Sequence, residues 1–207
     1  MIDSARTASD DLDYVRRLAE SGAHAPLLGG RFMLWWGLCL SIAYIAHHFA
    51  LRGTIGDGSS IFAFIWIGFS VVGVAGQLLL GRTMPDKSGT GSAGNRASHP
   101  VWMAAAFSIT SMVVGTVAAA QRGAGPATFD WIVPVAFAVY ASALIVTGTL
   151  ARDGITRIAG YGAAIMVGLF TALILSPDRY LLAAAGVFLT VFLPGLLLLR
   201  AEPGRQG

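Results

Sequence analysis

The sequence predicts an all-α, polytopic integral membrane protein: six transmembrane helices preceded by a short cytoplasmic amphipathic helix. Three observations carry this. Of the 207 residues, 55% are hydrophobic and only 12% are charged, about half the charged share of a soluble domain, and mean hydropathy is +0.68. The apolar residues fall into six runs, each near the ~20 residues a helix needs to cross a bilayer. The charged residues collect in the gaps between those runs, and their sign is unevenly distributed.

Residues 1–30 are read as a cytoplasmic arm. Ser9 is a natural N-cap, and Asp10 and Asp11 occupy the first turn, where the helix dipole favours acids. Leu12, Val15 and Leu18 then recur at helical spacing, and Gly22 is a stop signal. This predicts an amphipathic helix over about residues 10–21. Its stripe suits either its own bundle and the lipid interface, or a docking partner. The arm is polar and carries five acids, so no cleavable leader is expected and the first apolar run serves as both signal and anchor.

The membrane domain spans residues 31–200, with candidate helices at about 32–51, 61–81, 101–120, 130–150, 156–175 and 180–199. The last two are separated only by Ser176-Pro177-Asp178-Arg179. A single helix through both would overshoot any bilayer, so Pro177 and its charged neighbours mark a hairpin. Residues 201–207 form a cytoplasmic tail. Pro134 falls in the first turn of the fourth span, where a missing N–H is harmless. Pro194 lies inside the sixth and predicts a kink. The loop over 82–99 has the Gly/Ser composition of a flexible linker, without the flanking pattern of a phosphate-binding loop.

Orientation follows from counting cations. With the amino terminus inside, the cytoplasmic segments hold eleven Lys and Arg residues and the outer loops only three: Arg52, Arg122 and Arg179. The positive-inside rule therefore places both termini in the cytoplasm. The predominance of arginine with abundant Ala and Gly points to a bacterial inner membrane. A faint 70-residue repeat pairs Arg52-Gly53 with Arg122-Gly123, Arg82 with Arg152, Met33 with Met103 and Ser41 with Ser111. It relates spans one and two to spans three and four.

Lipid is as apolar as leucine, so helix association rests on close backbone approach and polar contacts. The fifth span offers Gly160, Ala164, Gly168 and Ala172 at four-residue spacing, and the third offers Ser111, Gly115 and Ala119. These predict a central fifth helix packed along its small face, within the chain or against a second copy. Gln77 is expected to bond to a neighbouring helix. The bulky first and sixth spans read as an outer layer.

The residues that resemble a chemical site fail on spacing. His47 and His48 are adjacent, so their side chains point about 100° apart, and the other histidines, His24 and His99, lie at the opposite face. Cys39 is the sole cysteine, which excludes an internal disulfide or a Cys-based zinc site. No carboxylate or base sits at mid-membrane depth as ion-coupled transport requires, and no hydrolytic arrangement is present. No basic block points to nucleic acid. No metal, cofactor or catalytic residue is assigned. The expectation is a non-enzymatic scaffold or accessory protein, whose candidate partners are the bilayer, a cytoplasmic or membrane protein, and further copies of itself. A passive conduit for an uncharged solute is the alternative, and a haem-bearing redox subunit a remote one.

Overall fold

The computed structural model describes residues 27–56, 58, 60–83 and 91–201, and among these every regular element is helical. In chain order these are α1 (Gly30–Leu51), α2 (Ser60–Arg82), α3 (Ala93–Gln121), a 3₁₀ turn (Pro126–Trp131) leading into α4 (Ile132–Leu150), and α5 (Gly154–Ala172). A sixth span is built from α6 (Arg179–Val187), a π-helical turn (Phe188–Phe192) and α7 (Leu193–Ala201). Six stretches are long and apolar enough to cross a membrane. The amphipathic helix expected over 10–21, with Leu12, Val15 and Leu18, lies outside the described residues.

Two boundaries differ from the sequence reading. The third helix begins eight residues before the expected 101, inside the stretch read as linker. Ser92 caps it, its Oγ accepting from the Asn95 N–H at 3.3 Å, and the helix runs through Pro100. Composition marked this stretch as flexible, but one well-placed cap suffices to start a helix in it. In the sixth span, the expected disturbance at Pro194 takes the form of a π turn just before it. Leu193 N–H reaches back five residues to the Phe188 carbonyl, absorbing the register change that the proline ring and its missing N–H impose.

The helix ends explain part of the apparent repeat. At α1, Gly53 N–H bonds to the Ala50 carbonyl and Thr54 N–H to that of Phe49; at α3, Gly123 bonds to Ala120 and Ala124 to Ala119. Gly53 and Gly123 both adopt positive φ, at 67° and 93°. Both ends are Schellman motifs, which require a left-handed residue after the cap. The matched interior residues do not share an environment. Ser41 is buried and donates to the Ala184 carbonyl at 3.2 Å, whereas Ser111 is exposed. Met33 is buried and Met103 is 49% exposed.

The major contacts run α2–α1–sixth span–α5–α4–α3. This corrects the layering expected from bulk. Half of the sixth span and 39% of α1 are buried, against 28% of α5 and 6% each of α2 and α3. Glycines make the difference. A Cβ on Gly30 would lie 2.8 Å from the Gly195 carbonyl oxygen, one on Gly195 would lie 2.6 Å from the Leu34 nitrogen, and one on Gly37 would meet the Phe192 backbone at 2.7 Å. The two bulky helices are in backbone contact at three points, so their large side chains interleave around that seam. At the other strong interface, a Cβ on Gly148 would meet Arg157 N at 2.7 Å and one on Gly160 would meet Ile145 N at 2.9 Å. Phe137, Leu144, Ala163, Phe170, Ala183 and Val187 fill the core between these seams.

Candidate functional site

Polar and aromatic groups concentrate at the end of the bundle away from residue 27, here the distal end. The turn after α5 places Arg179 at the first position of α6, where it is 6% exposed. Its Nη1 donates to the carbonyls of Ile174 and Ser176, and its Nη2 to Asp130 and to the Tyr180 hydroxyl. Asp130 comes from the 3₁₀ turn, 49 residues away in sequence. Arg179 Nε is buried with no partner. A second pair, Arg52 with Asp178 at 2.6 Å, lies exposed beside it. Together the two pairs tie the α1 terminus, the turn before α4 and the α5–α6 turn into one knot.

Beside the knot stands His47. Its Nδ1 accepts from Trp66 Nε1 at 3.0 Å, so that nitrogen carries no proton, and its ring stacks on Tyr180 with centroids 4.0 Å apart. Phe62 lies 4.7 Å from the ring, and Tyr44 packs edge-on to Trp66 at 5.4 Å. His48 is turned away from this group and pairs through Nδ1 with the Pro177 carbonyl at 3.2 Å. The two histidines thus diverge, as adjacent helical positions must, His47 toward α2 and His48 toward the turn after α5.

The Trp35–Trp36 pair serves α1–α2 packing. Trp35 Nε1 donates to the Gly73 carbonyl at 3.0 Å, and Trp36 Nε1 to Gln77 Oε1 at 2.6 Å. A Cβ on Gly73 would collide with the Trp36 ring, and one on Gly76 with that of Trp35. Gln77, expected to bond to a neighbouring helix, makes its contact here.

The other small-residue candidates divide. Gly160 sits in the α4–α5 seam, alongside buried Thr156, Ala159 and Ala163. Ala164, Gly168 and Ala172 are exposed, and nothing lies within 4 Å of a Cβ on Gly168. On α3, Ser111 and Gly115 are exposed and Ala119 is half-buried. The four-residue ladder drifts around the helix, because 3.6 residues complete a turn; only its first rung faces α4. Tyr161, Ser108 and Thr110 likewise face outward.

At the opposite end, where the chain enters, Arg31, Arg82, Arg96, Arg152, Arg157 and Arg200 terminate their helices or turns. Among the described residues none of the six forms an ion pair. The one described carboxylate there, Asp153, caps α5 by accepting from the Thr156 N–H at 2.7 Å. Among the described residues, no three His, Cys, Asp or Glu side chains converge as a metal site would need.

The Arg179–Asp130 pair is not legible in the sequence, where Arg179 counts only as an outer-loop cation. The available signal was that both flank apolar runs at the same end. The sockets at Gly73 and Gly76 also leave no matching sequence signal, since the glycines lie three positions apart while the indoles they receive are adjacent. Comparison with protein-family models, curated proteins and solved structures finds no match.

Proposed function

We propose that this chain is a non-enzymatic scaffold or accessory protein of the bacterial inner membrane, with both termini in the cytoplasm. It works through its amino-terminal arm and the surfaces of its helices. The contrast between the two ends is the observation that supports this reading. At the distal end Arg52, Arg179, Asp130, Asp178, His47 and His48 are engaged by the chain's own contacts. The arginines of the entry end have no ion-pair partner among the described residues. The excess of cations in the segments assigned to the cytoplasm supports the orientation. The large outward faces of α2 and α3, such as Phe64, Ile67, Phe107 and Val114, suit lipid or a membrane partner.

The test is crosslinking followed by affinity capture, comparing the full chain with one lacking residues 1–24. The proposal expects specific partners that depend on the arm. Equal capture by both forms would remove the arm from the reading. Uncharged-solute flux in proteoliposomes above that of empty vesicles would replace the scaffold reading with a conduit.

A further inference from the structure

Helix α2 is an edge of the bundle. Its major contact is with α1, and 6% of its span is buried. Among the described residues, three hydrogen bonds tie it there, each donated by an indole. Trp35 reaches the Gly73 carbonyl and Trp36 reaches Gln77, with the rings seated on Gly76 and Gly73 in the half nearer the entry end. The third bond, from Trp66 Nε1 to His47 Nδ1 at 3.0 Å, holds the distal half. Residues 66 and 73 are about 10 Å apart along the helix, so the two attachments are separate.

The acceptor of the third bond is one that a proton removes. A neutral imidazole accepts at one nitrogen and donates at the other, whereas an imidazolium donates at both. Because Nδ1 accepts from Trp66, a second proton on His47 goes where the indole N–H points. Turning the ring over restores nothing, since Nε2 then donates as well. The ring is half-buried rather than sealed in the core, so a proton can reach it. His48 differs. Its Nδ1 meets the Pro177 carbonyl, which only accepts, so a charge on that ring leaves its bond intact.

The neighbours of His47 offer its charge no compensation. Among the described residues, the sixth span brings Tyr180 against the ring at 4.0 Å, and Arg179, whose Cζ lies 4.7 Å from the same tyrosine's centroid. The 3₁₀ turn brings Asp130, which is committed to Arg179. Helix α1 brings Tyr44 and His48, with the exposed Arg52–Asp178 pair beside them, and α2 brings only Trp66 and Phe62. An imidazolium and the Arg179 guanidinium would lie against one tyrosine ring.

We propose that His47 is an acid-operated latch: on taking a proton it drops the Trp66 indole, and the distal half of α2 swings away from α1 about the tryptophan sockets. The latch rests on contacts within this chain and stands whether or not the chain is a scaffold. With both termini cytoplasmic, as proposed above, it faces outward and answers to acidity on that side. Once unlatched, the ring is an ordinary histidine that charges below about pH 6.5, so falling pH draws the equilibrium toward the released state.

The experiment follows two signals from the full chain in phosphatidylcholine nanodiscs, between about pH 8 and about pH 4. Nuclear magnetic resonance reads the indole N–H of Trp66, assigned by its loss in Trp66→Phe. Pulsed electron resonance reads the distance between spin labels at Phe64→Cys and Leu181→Cys, two exposed positions, in a Cys39→Ser background. The expected result is one reversible transition, in which the Trp66 signal shifts and the distance lengthens and broadens while the Trp35 and Trp36 signals hold. His47→Gln keeps an acceptor that does not titrate, so its docked distance should persist to the lowest pH. Should His47→Gln fail to fold, Trp66→Phe decides, with the released distance expected at every pH. A Trp66 signal indifferent to acid overturns the proposal. So does a shift without a change of distance, in which the charged ring stays held by cation–π attraction to its aromatic neighbours. A transition that survives in His47→Gln, or a docked distance in Trp66→Phe, overturns it as well.

Discussion

The two ends of this bundle carry the same residue type and use it differently. At the distal end, Arg179 is buried, its amino groups share four acceptors and it joins two segments 49 residues apart. At the entry end, six arginines lie at helix termini without an ion-pair partner among the described residues. Burial separates the roles. A guanidinium removed from water is costly unless most of its donors find acceptors within the fold, so Arg179, with both amino groups engaged, becomes part of the architecture. One left at the surface costs nothing to leave unpaired and stays available to lipid or a partner.

The largest expected effect breaks the architectural side of that contrast. Arg179→Leu leaves Asp130 without its partner and frees two turn carbonyls, so unfolding in detergent should show a loss of about 3–5 kcal/mol. Asp130→Asn, which keeps a hydrogen-bond acceptor, should lose less. Equal stability of Arg179→Leu and the parent chain would show the knot to be decorative.

Next in size is a contrast within α5. Gly160→Leu drives a side chain into the Ile145 backbone and should cost about 1–3 kcal/mol or more. Gly168→Leu, eight residues on, meets open space and should fall within about 0.5 kcal/mol of the parent in monomeric form. A change of oligomeric state in Gly168→Leu alone would show that a second copy covers that stripe.

Much of the fold was legible in the sequence, and the split between what was and was not is physical. Length and apolarity located all six spans because each depends only on its own residues. Helical geometry likewise keeps His47 and His48 from being read as a ligand pair, since adjacent positions point about 100° apart. What the sequence concealed were relations between distant residues. Gly30 and Gly195 are unremarkable alone, and only their meeting reveals that the bulky first and sixth helices are packed inside the bundle rather than forming an outer layer. Gly168 meets nothing within this chain, because glycine at helical spacing marks a surface that can be approached closely without saying what approaches it. Of the candidate site, the uneven cations were plain from the sequence. The pairing of Asp130 with Arg179 was not, because nothing local to either residue encodes the other.

Smaller effects sharpen the comparison. Arg152 holds a left-handed backbone, φ 54°, in the turn where Asp153 N–H bonds to the Gly148 carbonyl and Arg152 N–H to that of Thr149. Glycine tolerates this conformation better, so Arg152→Gly should raise stability by about 1 kcal/mol. A loss in chemical denaturation would instead show that the Arg152 side chain has a structural partner. Arg52→Ala removes an exposed pair at the distal end and should cost only about 0.2–1 kcal/mol.

The most direct test of the division between the ends is one thermal-unfolding comparison in a single detergent. Arg179→Leu is set against a variant combining Arg31→Gln, Arg96→Gln and Arg200→Gln. The expected result is a large fall in midpoint for Arg179→Leu and a midpoint indistinguishable from the parent for the combined variant. A fall of similar size in the combined variant would mean that the entry-end arginines hold the fold together, and the claim that they stand free for lipid or a partner would fail.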